Sequence, residues 1–272
     1  MTKNILFILI TLCISGVSLA QKNEFGIFMG SSGYHGDIGN EKIGAVLFRQ
    51  SPSVGILHKV NFHNYLSFRS SIQLGTLKAN DANSNNLNTQ QRNLSFRSRI
   101  IDVNMGFEFN FYKFMIRKRK TVYSPYIFAG LSFFAFNPQA LYSNGQWIDL
   151  QPLRTEGQGL AFVAADKYSL VNWSIPFGVG YKANIGKKLA IGIEWIWRAS
   201  QTDYLDDVSG YYVDESLLSS LSAEMANPGS NTITPGKTRG NPNTNDWYNF
   251  TGITFSYKIR NRPNKCPKAL LP

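Results

Sequence analysis

The chain is poor in the residues that usually carry chemistry. Its 272 residues include two cysteines and three histidines, and charged side chains make up only 17%. Cys13 lies in an apolar stretch near the start, so cleavage of a leader leaves Cys266 alone and excludes an intramolecular disulfide. No Ser-His-Asp or Cys-His arrangement is readable, and His and Cys never recur at metal-ligand spacing. No stretch approaches the roughly 18 consecutive apolar residues of a membrane-spanning helix, which argues against a helical inner-membrane protein.

What the chain has instead is alternation. Ile101, Val103, Met105, Phe107, Phe109 and Phe111 are apolar, while Asp102, Asn104, Gly106, Glu108 and Asn110 between them are not. A period of two over such a length is a β-strand with one greasy and one wet face, and roughly 9 to 11 tilted residues suffice to cross a bilayer. The pattern recurs over 66–75 and over 189–198, where Leu189, Ile191, Ile193, Trp195 and Trp197 face away from Glu194 and Arg198. Aromatics at 14% of the chain and a mean hydropathy of −0.19 fit apolar residues placed on alternate positions rather than in blocks. The expected arrangement is aromatics toward lipid and charges toward a lumen.

The first twenty residues identify the membrane. Lys3 precedes an apolar run from Ile5 to Ile14, and Ser18, Leu19 and Ala20 supply the small residues of a cleavage site, so residues 1–20 read as a signal peptide. Leu12 stands before Cys13 where a lipoprotein signal would need a small residue, which disfavours lipidation. An exported chain of amphipathic strands leaves open the periplasm, the outer membrane or the exterior, and strands with a lipid-facing side make the outer membrane the expected location. The expected domains are the signal peptide, a barrel over 21–259 and a basic tail over 260–272.

Strands are expected at 24–35, 52–62, 65–78, 97–111, 123–136, 168–182, 188–201 and 247–259, an all-β fold of eight antiparallel strands that closes a small barrel without free edges. The links at 61–64, 112–121 and 183–187 are short, whereas 36–51, 79–96, 137–167 and 202–246 are long and rich in Asn, Gly, Ser and Pro. In bacterial barrels short turns face the periplasm, so long loops are expected outside and both termini in the periplasm.

Charge follows this layout. Lysine and arginine number 28 against 17 acids. They gather at the short-turn end: Lys113, Arg117, Lys118, Arg119 and Lys120 in one turn, Lys187 and Lys188 in another, and Lys258, Arg260, Arg262, Lys265 and Lys268 after the last strand. Such a ring seats a barrel on lipid phosphates, or docks an acidic periplasmic partner. Its placement argues against nucleic acid.

Lys59, Arg69, Asp102, Glu108, Glu194 and Arg198 are the lumen candidates. Paired carboxylates invite an acid–base reading, but an eight-stranded barrel is just filled by side chains, and opposite charges there neutralise one another as a plug. Asp203, Tyr204, Asp206, Asp207 and Gly210 mark a loop at the outer rim. Its acids lack the regular spacing of a calcium loop, so a loop-ordering role is expected, with no catalytic residue, metal or cofactor.

The stretches GIFMGSSGYHGDIGN (26–40), SPYIFAGLSFFAFNPQA (124–140), LQPLRTEGQG (150–159), IPFGVGYK (175–182) and TDYLDDVSGYYVDE (202–215) together resemble the PorG family, outer-membrane barrels of the type IX secretion system in Bacteroidota. The resemblance runs from Phe25 to Tyr257, departing at Arg154, where a Gly is usual, and in the cysteine-bearing tail. It implies a non-enzymatic component of that secretion machine, in contact with outer-membrane lipid and lipopolysaccharide, that anchors a periplasmic ring of PorK and PorN type. A stand-alone surface binder or adhesin working through the long loops is the alternative, and a lipid-modifying barrel enzyme the third.

Overall fold

Wherever the sequence alternates, the chain forms a strand whose two faces part company. The computed structural model describes residues 22–39, 50–116, 122–160, 163, 166–229 and 234–259. The strands are β1 (Lys22–His35), β2 (Ser51–Asn61), β3 (Leu66–Asn80), β4 (Ser95–Asn110), β5 (Tyr123–Leu141), β6 (Trp147–Asp149), β7 (Val171–Asn184), β8 (Leu189–Ser200) and β9 (Trp247–Lys258). The sheet order is β4-β3-β2-β1-β9-β8-β7-β5, and a further β4–β5 pairing closes it. All pairs are antiparallel. The result is an eight-stranded barrel without free edges, with β6 as a short flap hydrogen-bonded to the end of β5.

One face of the sheet is a continuous apolar exterior. In β4 the burial pattern alternates without a break from Ser98 to Asn110. Ile101, Val103, Met105, Phe107 and Phe109 stand exposed, while Asp102, Asn104, Glu108 and Asn110 are buried. The same inversion holds for Phe25, Ile27 and Met29 on β1, and for Ile253, Phe255 and Tyr257 on β9. A belt of this extent does not face water; it matches the lipid-facing band of a transmembrane barrel. No helix among the described residues is long and apolar enough to cross a membrane.

Connections differ sharply between the two ends. The turns at 62–65 and 185–188 and residues 111–116 and 122 lie at the end that holds Lys22 and Lys258, whereas 36–39, 50, 81–94, the segment around β6, 201–229 and 234–246 lie at the other. Short helices order the long loops: α1 (Leu87–Arg92), capped by Asn86, and α2 (Ser220–Ala226), capped by Ser219.

Two departures from the expected strands have local causes. β5 runs on to Leu141, because Arg97 pairs with Gln139 in the ladder and both Asn137 and Gln139 donate to Asp149 of the flap. The Arg97 guanidinium lies 3.7 Å from the centre of the Trp147 ring and holds the flap down. β7 begins at Val171 rather than 168, because Tyr168 turns inward and donates to Asp207 at 2.6 Å.

Candidate functional site

The lumen is built by side chains that the alternation turns inward. Buried on the strands are four acids, Glu24, Asp102, Glu108 and Glu194, and four bases, Lys59, Arg69, Lys182 and Arg198. Seven of them form three tiers, and Glu24 accepts from Asn61 at 2.8 Å. Nearest the short turns, Glu108 of β4 takes Lys59 of β2 at 2.9 Å and also Lys182 of β7. In the middle, Arg69 of β3 meets Glu194 of β8 through two hydrogen bonds of 2.6 and 2.7 Å, and the Tyr126 hydroxyl donates to the same carboxylate at 2.7 Å. Toward the long loops, Asp102 accepts from Ser132 at 2.6 Å, Tyr248 at 2.8 Å and Asn104 at 2.8 Å, with Arg198 at 3.4 Å. Arg198 also donates to Gln73.

Aromatic rings fill the gaps between tiers. Arg69 lies 5.2 Å from the Phe128 ring centre and Arg198 lies 4.5 Å from that of Phe250. Gly180 gives Tyr126 its place: a Cβ there would stand 2.3 Å from the phenol ring. Charges this deep are tolerable only because each has a partner and its remaining hydrogen-bonding capacity is largely used. These carboxylates are therefore occupied as structure.

Both mouths are stopped. At the long-loop end, Leu205 and Val208 are fully buried among Phe28, Phe96, Phe134, Phe136, Tyr248 and Phe250. Asp203, Asp206 and Asp207 thus lie inside the mouth rather than around its edge, drawn in by the apolar residues between and after them. Asp207 has φ +69°, closing the turn with its N–H on the Tyr204 carbonyl. It accepts from Thr155 at 2.5 Å and Tyr168 at 2.6 Å. Tyr204 stacks on Tyr168 at 4.6 Å between ring centres. The Gly210 N–H donates to Glu156 at 3.0 Å, and Arg239 bridges Glu156 at 3.1 Å and the Asp207 carbonyl at 2.7 Å. Burial pushes the Asp203 carboxyl up to about 7 and that of Asp207 up to about 6, the latter held down in part by Arg239.

At the short-turn end, Phe114 and Ile116 turn back into the mouth and pack with Ala190 and Val122. The Lys258 ammonium fastens this turn through the Ile116 carbonyl at 2.9 Å. Lys113, Lys187 and Lys188 stay exposed. The other basic candidates, Arg117, Lys118, Arg119, Lys120, Arg260 and Arg262, lie outside the described residues, as do residues 1–20, both cysteines and the tail beyond Ile259.

Two lumen groups escaped the sequence reading. Lys182 and Glu24 are each nearly buried and complete the charge balance. Their signal was present: Ser174, Pro176, Gly178, Gly180, Lys182 and Asn184 share one face of β7, and Glu24 shares the face of Phe28 on β1. The three histidines stand apart from the carboxylates. His35 lies against Trp197, His58 against Phe25 and His63 against Tyr65. No group of three His, Cys, Asp or Glu among the described residues is placed to hold a metal ion.

A family model described as a domain of unknown function, DUF6089, matches residues 3–268. The chain belongs to the DUF6089 family. No curated protein matches it. Among solved structures, this DUF6089 chain is similar in fold to Ail, the attachment invasion locus protein of Yersinia pestis, in complex with the heparin analogue sucrose octasulfate, at 9% identity and a TM-score of 0.43, over 89% of this chain and 100% of that one. It is also similar to a major outer membrane protein from Thermus thermophilus, at 10% identity and a TM-score of 0.38, over 89% and 100% of the two chains. The outer membrane protein OprG from Pseudomonas aeruginosa matches at 8% identity and a TM-score of 0.35, over 89% and 95%. At such identity the likeness is one of fold alone.

Proposed function

We propose that this DUF6089 chain is a non-enzymatic outer-membrane anchor whose short turns lie in the periplasm and whose basic periplasmic face docks a protein partner. One observation carries the reading: the lumen is charge-balanced, braced in three tiers and stopped at both mouths, so transport through the barrel is not its work. What remains to act are the two end surfaces. The short-turn end presents Lys113, Lys187 and Lys188 to solvent, and basic groups on a membrane-proximal face steer and hold an acidic partner. The resemblance to the PorG family supports a place in type IX secretion, with the ring of PorK and PorN type as the partner.

The test is copurification. The tagged full-length protein is extracted gently from outer membranes, and its companions are identified by mass spectrometry. Recovery of the ring proteins, lost when Lys113, Lys187 and Lys188 are changed together to Glu while the barrel still assembles, is the expected result. A clean barrel from membranes that hold an intact ring overturns it.

The ordered plug at the long-loop end favours the second reading, a surface binder. Deletion separates the two, since an anchor of the secretion machine stops secretion when lost and a binder does not.

A further inference from the structure

The long loop 201–246 carries more buried acid than the bases around it can match. Asp81 is held by Arg92 at 2.7 Å, and Glu156 and Asp207 share Arg239. Asp206 and Asp246, 0% and 1% exposed, make no ion pair among the described residues. Both reach one hydroxyl instead. The Tyr34 oxygen lies 2.5 Å from Asp206 Oδ2 and 3.0 Å from Asp246 Oδ1. The carboxyls are otherwise fixed by main-chain N–H groups, from Ile38 at 3.2 Å and Val208 at 2.9 Å on Asp206, and from Leu205 at 3.0 Å on Asp246. Three of the four oxygens thus face a main-chain N–H, and Asp246 Oδ1 faces the Tyr34 hydroxyl, which it shares with Asp206 Oδ2.

A phenol has one hydrogen and can give it to only one of the two carboxyls. The second contact is oxygen against oxygen unless it holds a hydrogen of its own. Two carboxylates that share one site away from water do not both ionise. We propose that Tyr34, Asp206 and Asp246 hold one shared proton, and that this proton latches the loop plug into the barrel mouth. With it, the three side chains form a continuous hydrogen-bonded chain that ties β1, the 203–209 turn and the start of β9 together. Without it, two buried anions repel each other directly beneath Leu205 and Val208, and the turn withdraws.

The groups around the pair act in both directions. Asp37 from the loop after β1 and Asp203 from the same turn disfavour ionisation, and Arg92 of α1 favours it. Arg239 shares with Asp206 the wall of a cavity of about 150 Å³, but its guanidinium is engaged by Glu156 and Asp207. Burial is the largest influence and pushes both carboxyls well above the usual range. The sign follows: the plug is tightest in acid and loosens as the medium turns alkaline.

Hydrogen exchange on the full-length protein in detergent, corrected for the intrinsic effect of pH, tests the latch. In the wild type, protection of the Leu205 and Val208 amides is expected to fall by about tenfold or more between about pH 6 and about pH 10. Asp246→Asn supplies hydrogens without a titrating group and removes most of the fall above about pH 8, where Asp203 and Asp207 are already ionised, with Asp206→Asn as the second variant should the first fail to assemble. Infrared spectra of the wild type at neutral pH are expected to show the C=O stretch of a protonated carboxylic acid that either variant diminishes. Flat protection in the wild type, an unchanged fall in the variants, or no such band overturns the proposal. So does loss of protection on adding EDTA at neutral pH, which would place a metal ion where the proton is proposed.

Discussion

Arg69 and Glu194 meet head-on across the lumen, Nη1 and Nη2 on the two carboxylate oxygens at 2.6 and 2.7 Å. Their strands, β3 and β8, stand four places apart around the eight-stranded ring, so the pair spans its full width. A two-point contact of this kind fixes both the distance between opposite walls and their relative height, which adjacent-strand pairing alone does not. Removing one partner leaves a buried charge without compensation. Glu194→Ala is expected to cost about 3–5 kcal/mol, whereas the double change Arg69→Met with Glu194→Leu restores most of that loss. Urea titrations followed by tryptophan fluorescence and by the heat-modifiable gel shift measure both. Equal damage from the single and double variants would show that the pair is not coupled.

The plug at the long-loop mouth is a separate unit of packing. Leu205 is fully buried against aromatic rings from β1, β4, β5 and β9. Leu205→Ala removes that packing, a change worth about 2–5 kcal/mol in a well-packed core. The loss falls on the loop rather than on the strands, because the ionic tiers below it are untouched. Faster cleavage within 203–229 by an added protease, with an unaltered gel shift for the barrel, is the expected result. Simultaneous loss of both would mean that plug and barrel unfold as one.

Strand alternation made the barrel legible from sequence, because a membrane barrel writes its two faces in a period of two. Asp102, Glu108, Glu194 and Arg198 could be assigned to the lumen for that reason alone, and the same count on β7 would have found Lys182. The loops carry no such period. Nothing local in Thr202 to Gly210 says that Leu205 and Val208 turn inward, since the rings that receive them come from strands far away in sequence. The flap at β6 was hidden for a related reason: Asn137, Pro138 and Gln139 have turn composition, and only the cross-strand pairing with Arg97 and the hydrogen bonds to Asp149 keep them extended. The basic candidates split between exposed lysines and residues outside the described part.

Asp203 and Asp207 give the plug a second pH response, at lower pH than the latch. Their carboxyls rise to about 7 and about 6 in the folded protein, chiefly through burial. The usual carboxylate value, about 4, applies once the loop is open. The closed form therefore holds more protons between about pH 4 and pH 7, and its stability falls as pH climbs through that window. Asp203→Asn removes its share of the slope. Protease susceptibility of the loop, measured from about pH 4 to pH 7, should rise less steeply in the variant than in the wild type, and an identical slope would rule out Asp203 as a contributor.

Arg154 closes the 3-10 turn at Gln151–Leu153 with φ +56° and ψ +53°, a left-handed conformation that strains a residue with a Cβ. Its side chain makes an exposed hydrogen bond to the Gly159 carbonyl at 3.3 Å, which returns little. The next two residues, Thr155 and Glu156, are the ones that grip Asp207 and Arg239, so strain at 154 is transmitted to the plug. Glycine relieves the steric cost and adds back some freedom to the open loop. Arg154→Gly is expected to tighten the plug by about 0.5–1 kcal/mol, read as slower exchange of the Ser209 and Gly210 amides that bond to Glu156. Arg154→Val should act in the opposite direction, because branching at Cβ makes the left-handed conformation worse. If both variants loosen the plug, the arginine side chain itself, rather than its backbone, is what the loop depends on.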